Sequence, residues 1–200
     1  MAQNIGSTVK TSDYIDLFLR ANESKRISRT GWVMNGIKNP ESVAEHTFSL
    51  SFLTMQLAPT ISSKLDYSLN TNKLIKMAIL HDIGEVETGD IVVSRGSIID
   101  VKKRDVKEQR EKEGIKNLFK LTDKSNITIN LFDEMIERTT VESKIFWQLD
   151  KLDMAIQALE YELMYKKDLQ EFFDNARAHL SDAFLIEIFE EILKRRPKKK

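Results

Sequence analysis

Apolar residues recur at helical spacing through most of the chain, and no stretch sustains the strict alternation of a strand, so the pattern predicts an all-α fold, a compact helical bundle. Tyr14, Ile15, Phe18 and Leu19 make the inward stripe of a first helix, which Ser12 can cap and the polar run 22–26 ends. Residues 28–40 read as a loop containing Arg29, Gly31, Trp32 and Gly36. A second helix is expected from about Glu41 to Ala58, with Val43, Leu50, Leu53 and Leu57 on one stripe and Pro59 closing it. A third starts near Thr71 and breaks at Gly84, and the glycine-bearing stretch 85–97 reads as a connection.

From Val101 to Leu121 the apolar positions are sparse among charges, which predicts a helix solvated through its first half. A short helix at 131–138 leads into the strongest helical signal, Val141 to Tyr165, where Ile145, Phe146, Leu149, Leu152, Ala155, Ile156 and Leu159 form a wide apolar face. A last helix spans Leu180 to Leu193. The 200 residues suit one domain over 1–200, with a core at about 13–165, the C-terminal helix at about 180–193 and a basic tail over 194–200.

Lysine and arginine number 31, as do aspartate and glutamate, so no global field draws the chain to nucleic acid, and the basic tail reads as a solvated terminus. With no cysteine, disulfides, thiolate zinc sites and cysteine nucleophiles are excluded, and any metal must be held by nitrogen and oxygen. The start, Met1 to Lys10, lacks the apolar core of a signal peptide, and no apolar run approaches the roughly 20 residues of a membrane span. A cytoplasmic protein without membrane or nucleic-acid partners is expected.

Only three histidines occur, His46, His81 and His179. His46 falls on the apolar stripe of the second helix, the doublet His81-Asp82 ends the buried third helix, and Asp150 sits amid Phe146, Leu149, Leu152 and Met154. Ionisable groups at such positions demand partners. One divalent cation, with Co, Mn, Mg, Zn and Fe all suited to the donors, would account for all three sites. A His–Asp pair with an unrelated Asp150 facing Arg or Lys is the competing account, and Asp153 is a rival ligand. Beside the doublet, 81–91 concentrates Asp82, Glu85, Glu87 and Asp90, which places Glu85 and Asp90 where they could position a water, pass a proton or hold a second cation.

These segments together resemble the HD-domain metal-dependent phosphohydrolases, most closely their 5′-deoxynucleotidase branch. The resemblance runs from about Asp13 to Tyr165. It rests on Arg29-Thr30-Gly31-Trp32, Glu41-Ser42-Val43-Ala44-Glu45-His46, the 81–91 block and Gln148-Leu149-Asp150 continuing to Ala158-Leu159-Glu160-Tyr161. It implies metal ligation by His46, His81, Asp82 and Asp150, and so favours Asp150 over Asp153. It gives Glu85 and Asp90 a role on the water or leaving group, or in a second metal site with the Ile91 carbonyl. It makes Trp32 the aromatic of the substrate loop and Arg29 the substrate arginine, although in some members that arginine directly precedes the tryptophan, where this chain has Gly31.

The implied activity is hydrolysis of deoxyribonucleoside 5′-monophosphates by a homodimer. A guanosine-tetraphosphate or nucleoside-triphosphate hydrolase is the alternative on the same scaffold, with Arg95, Lys102, Lys103, Arg104 and Lys107 available to a longer phosphate chain. A metal-stabilised binding module without turnover is the alternative of another class. The cyclic-dinucleotide branch is disfavoured, because its glycine–tyrosine–proline extension after the doublet is missing.

Overall fold

The computed structural model describes residues 9–92, 94–95, 98–122 and 125–197. The first eight residues, the Arg95 side chain and the tail lysines 198–200 lie outside them. Among the described residues, ten α-helices follow one another: α1 Thr11–Ala21, α2 Thr30–Met34, α3 Val43–Leu65, α4 Thr71–Leu80, α5 Glu85–Thr88, α6 Val101–Phe119, α7 Ser125–Glu137, α8 Val141–Tyr165, α9 Gln170–His179 and α10 Ala183–Lys194. Among the described residues, extended pairing is confined to a two-residue antiparallel ladder, Ser94–Arg95 against Ile98–Ile99, just before α6, and an isolated bridge between Ser28 and Ser42.

α8 is the central element and has the predicted bounds; Thr140 caps its first turn by accepting from Ser143 N at 3.2 Å. Phe146, Leu149, Leu152 and Ala155 on its inner face are fully buried, and α3, α4, α7, α9 and α10 pack around it. α3 starts at a capping box, in which Ser42 Oγ accepts from Glu45 N and Glu45 Oε2 accepts from Ser42 N. α3 and α4 lie against each other and against α8, which brings three helices together at the His46, His81 and Asp150 positions.

Several expectations are corrected. α3 does not end at Pro59 but runs to Leu65, because Pro59 is on the exposed side, where the carbonyl it leaves without a helical partner can meet water. The 28–40 loop contains α2, and the 85–97 connection contains the single-turn helix α5. A further helix, α9, escaped the pattern. α1 is turned the other way: Leu17 is its buried residue, whereas Tyr14, Ile15, Phe18 and Leu19 are exposed. Its contacts with the body are to α6 and the turns beside it, so a single side chain, not the whole stripe, is covered. Ser12 is not its cap; Lys10 N donates to Asp13 Oδ2 at 2.7 Å instead. Among the described residues, no helix is long and apolar enough to cross a membrane.

Candidate metal centre

His46 and His81 meet across α3 and the end of α4 with their Nε2 atoms 3.1 Å apart. Each ring has its other nitrogen committed. His46 Nδ1 donates to Asp153 Oδ2 at 2.9 Å, and His81 Nδ1 donates to the Ala78 carbonyl at 2.8 Å. With Nδ1 so engaged in each ring, both imidazoles turn Nε2 toward the same point.

Two carboxylates close on that point. Asp150 Oδ1 is 3.3 Å from His46 Nε2 and 3.9 Å from His81 Nε2, while its Oδ2 accepts from Lys151 Nζ at 2.9 Å. Asp82 Oδ2 is 2.9 Å from His81 Nε2 and 4.0 Å from His46 Nε2. All four residues are at most 5% exposed. Two ring nitrogens and two carboxylates facing one another in so dry a place call for positive charge among them. Two imidazole nitrogens and two carboxylate oxygens suit a divalent cation.

The charges of the site act strongly on one another. Burial and Arg29 both work against a charged His46, yet Asp150 and Asp153 outweigh them and push the imidazole up to about 9. Burial also opposes ionisation of Asp82 and Asp150. Even so, His81, Arg29 and Lys107 hold Asp82 well below the usual carboxylate range, and Lys151 and His46 do the same for Asp150.

The site opens into a cavity of about 280 Å³, whose walls include Arg29, Trp32, His46, Asp90, Ile91 and Phe172. The Arg29 guanidinium enters it directly: one nitrogen bonds Asp82 Oδ2 and lies 3.6 Å from Asp90 Oδ1 and 4.0 Å from Glu85 Oε2. Asp90 is fixed by Thr30, whose backbone N–H bonds Asp90 Oδ2 and whose hydroxyl donates to the Asp90 carbonyl at 2.8 Å. Trp32 is almost fully buried as a wall; its indole N–H donates to Glu41 Oε1 at 2.8 Å, and its ring stacks on Phe172 at 4.1 Å. Glu85 is fully buried, and burial with the Asp82 charge pushes its carboxyl up to about 10 against the opposing pull of Lys107.

Three features were not read from the sequence. Asp153, weighed as a ligand, instead orients His46 while accepting from Ser49 Oγ at 2.6 Å. Lys107 and Glu111, on the α6 face expected to be solvated, enter the site: Lys107 Nζ lies 2.9 Å from Glu85 Oε1 and 3.1 Å from Glu111 Oε1. α9 supplies the Glu171, Phe172 and Asn175 wall of the cavity. The Lys107–Glu111 spacing was visible, but at four residues apart it is also the signature of an ordinary exposed pair.

A helical bundle that seats a His, a His-Asp doublet and a distant Asp at the junction of three helices defines a class, and comparison with known proteins agrees. Residues 21–193 match the HD domain family, and the chain belongs to it. The bovine protein named 5′-deoxynucleotidase HDDC2 is 31% identical over 180 residues, covering 88% of this chain and 82% of its own length. The zebrafish (Danio rerio) protein of that name is 35% identical over 153 residues, covering 74% of this chain and 70% of its own. Among solved structures, a conserved hypothetical protein of Pyrococcus furiosus superposes with a TM-score of 0.71 at 35% identity, over 90% of this chain and 99% of its own.

Proposed function

We propose that the chain is a metal-dependent 5′-deoxynucleotidase, releasing phosphate from deoxyribonucleoside 5′-monophosphates. The observation that carries this reading is the convergence of His46, His81, Asp82 and Asp150 beside an arginine-bearing cavity. The relatives' names supply the substrate class.

His46 Nε2, His81 Nε2, Asp82 Oδ2 and Asp150 Oδ1 are the atoms that would hold the cation. Such an ion supplies Lewis-acid charge for phosphate-ester hydrolysis and for activating water. The chain's own part is positioning and charge. Arg29 presents a guanidinium, which burial opposes but Asp82, Asp90 and Glu85 keep charged, to the phosphoryl oxygens. Asp90 lies on the cavity wall, held by Thr30, where it can meet the leaving 5′-oxygen. Glu85 does not line the cavity and steadies the acidic cluster from within. Trp32, backed by Phe172, limits the room around the sugar.

Longer phosphate chains fit less well. Arg104 lies 3.3 Å from Asp105 and 3.8 Å from Glu108, and Lys107 is taken up by Glu85 and Glu111. The homodimer reading is supported by α3, which leaves Phe48, Phe52 and Met55 exposed along one face. The wide apolar face of α8 is largely intramolecular core. Phosphate release across deoxyribo- and ribonucleoside mono- and triphosphates tests the substrate assignment; cleavage confined to triphosphates would reject it.

A further inference from the structure

Two cations meet the carboxylates of the metal centre from the cavity wall. Arg29, at the start of α2, bonds Asp82 Oδ2 through one guanidinium nitrogen, and Lys151, on α8, lies 2.9 Å from Asp150 Oδ2. Both residues line the cavity, and their side chains are 20% and 22% exposed, so each can be reached by a group that enters it. Lys151 holds the Asp150 oxygen that is not turned to the histidines, since Oδ1 is the one near both Nε2 atoms.

The register of α8 puts Lys151 there. Asp150 and Asp153, three residues apart, share a row that faces His46. Lys151 and Met154, at the same spacing one position on, form the adjacent row, and both line the cavity. One helix thus delivers carboxylates to the histidines with one row and a cavity wall with the next.

Lys151 also has hydrogen-bonding capacity in reserve. An ammonium carries three N–H donors, and among the described residues its one polar partner is Asp150. Arg29 likewise meets its acids through a single guanidinium nitrogen. Lys107, the other lysine on the cavity wall, differs, because its Nζ lies between Glu85 and Glu111 at 2.9 and 3.1 Å.

We propose that Lys151 is a second phosphate-binding group: its ammonium and the Arg29 guanidinium take the phosphoryl oxygens of a phosphate monoester between them, each keeping its hold on a carboxylate of the metal centre. A monoester dianion approaching this place meets the Asp82 and Asp150 carboxylates, and a cation beside each offsets both repulsions. Bonds from an ammonium to phosphoryl oxygens are charge-assisted and therefore among the strong ones. A counter-ion for Asp150 alone would need neither a place on the cavity wall nor donors in reserve. The inference rests on the proposed phosphatase reading for the identity of the monoester, so phosphate binding is measured apart from turnover.

Inorganic phosphate is titrated calorimetrically into Mn²⁺-loaded wild type, Lys151→Met and Lys151→Arg, and Mn²⁺ into the stripped proteins without phosphate, with circular dichroism confirming the fold. Loss of a hydrogen bond to a charged group is expected to weaken phosphate binding about 10–100-fold in Lys151→Met. Mn²⁺ affinity should stay near the wild-type value, and Lys151→Arg, which keeps the charge, should recover most of the phosphate affinity. Wild-type phosphate affinity in loaded Lys151→Met, or a loss that only follows lost Mn²⁺, would overturn the proposal and leave Lys151 as the counter-ion of Asp150. Weakened phosphate binding, in a protein whose wild type hydrolyses no monophosphate, would sustain the role of Lys151 and refute the substrate reading instead. A wild type that binds no phosphate, loaded or stripped, would refute both. Should Lys151→Met not fold, Lys151→Gln carries the same expectation.

Discussion

Asp153 Oδ2 accepts the Nδ1 proton of His46 at 2.9 Å, and this one bond determines which nitrogen of that ring faces the metal centre. Ser49 Oγ, at 2.6 Å from Asp153 Oδ1, keeps the carboxylate in place. Such outer partners fix the tautomer and orientation of a ligating imidazole.

Asp153→Asn is accordingly expected to keep the fold and weaken divalent-ion affinity by about 10–100-fold. Calorimetric titration of the stripped protein with Mn²⁺ measures this directly. Unchanged affinity would mean that His46 is oriented by something else.

The pH dependence of metal binding follows from the same ring. Without metal, His46 holds a proton up to about pH 9, with burial and Arg29 pulling its affinity down and Asp150 and Asp153 more than restoring it. A cation on Nε2 must displace that proton, so binding strengthens as pH rises and levels off above pH 9. A single competing proton gives about a tenfold gain per pH unit below that point. Apparent Mn²⁺ affinity measured between pH 6 and pH 9 checks it, and a flat profile would contradict it.

Much of this was legible in the sequence, and the parts that were not share a cause. α8 could be read to its exact bounds because its apolar face is wide, and the four proposed ligands stood out because polar groups sat where apolar ones belonged. Periodicity identifies a stripe but not the surface that covers it, so α1 was read with the wrong face inward. A lysine and glutamate four apart look alike on a solvated helix and beneath an active site; only the position of α5 against α6 separates the two. Gly84 was read as a helix breaker, whereas the backbone shows a close crossing that no side chain could share.

Gly84→Ala is therefore expected to do more than alter a turn. Its methyl group would press on the Glu111 backbone at 2.5 Å, which cannot yield as a flexible side chain would. Overpacking of this kind costs about 1–3 kcal/mol. Displacing Glu85 and Lys107 should also lower kcat beyond the loss of folded protein. Denaturant melts beside kinetics on the folded fraction resolve both effects, and wild-type values in both would remove the close crossing from the account.

The most direct measurement is phosphate release from deoxyribonucleoside 5′-monophosphates by metal-stripped protein resupplied with Co²⁺, Mn²⁺, Mg²⁺, Zn²⁺ or Fe²⁺, beside His81→Ala and Asp82→Ala. The wild type should be inactive when stripped and regain activity with at least one ion, while both folded variants stay inactive with every ion. Activity that survives complete stripping, or either variant turning over at wild-type rate, would contradict the assignment of this cluster as the catalytic metal site.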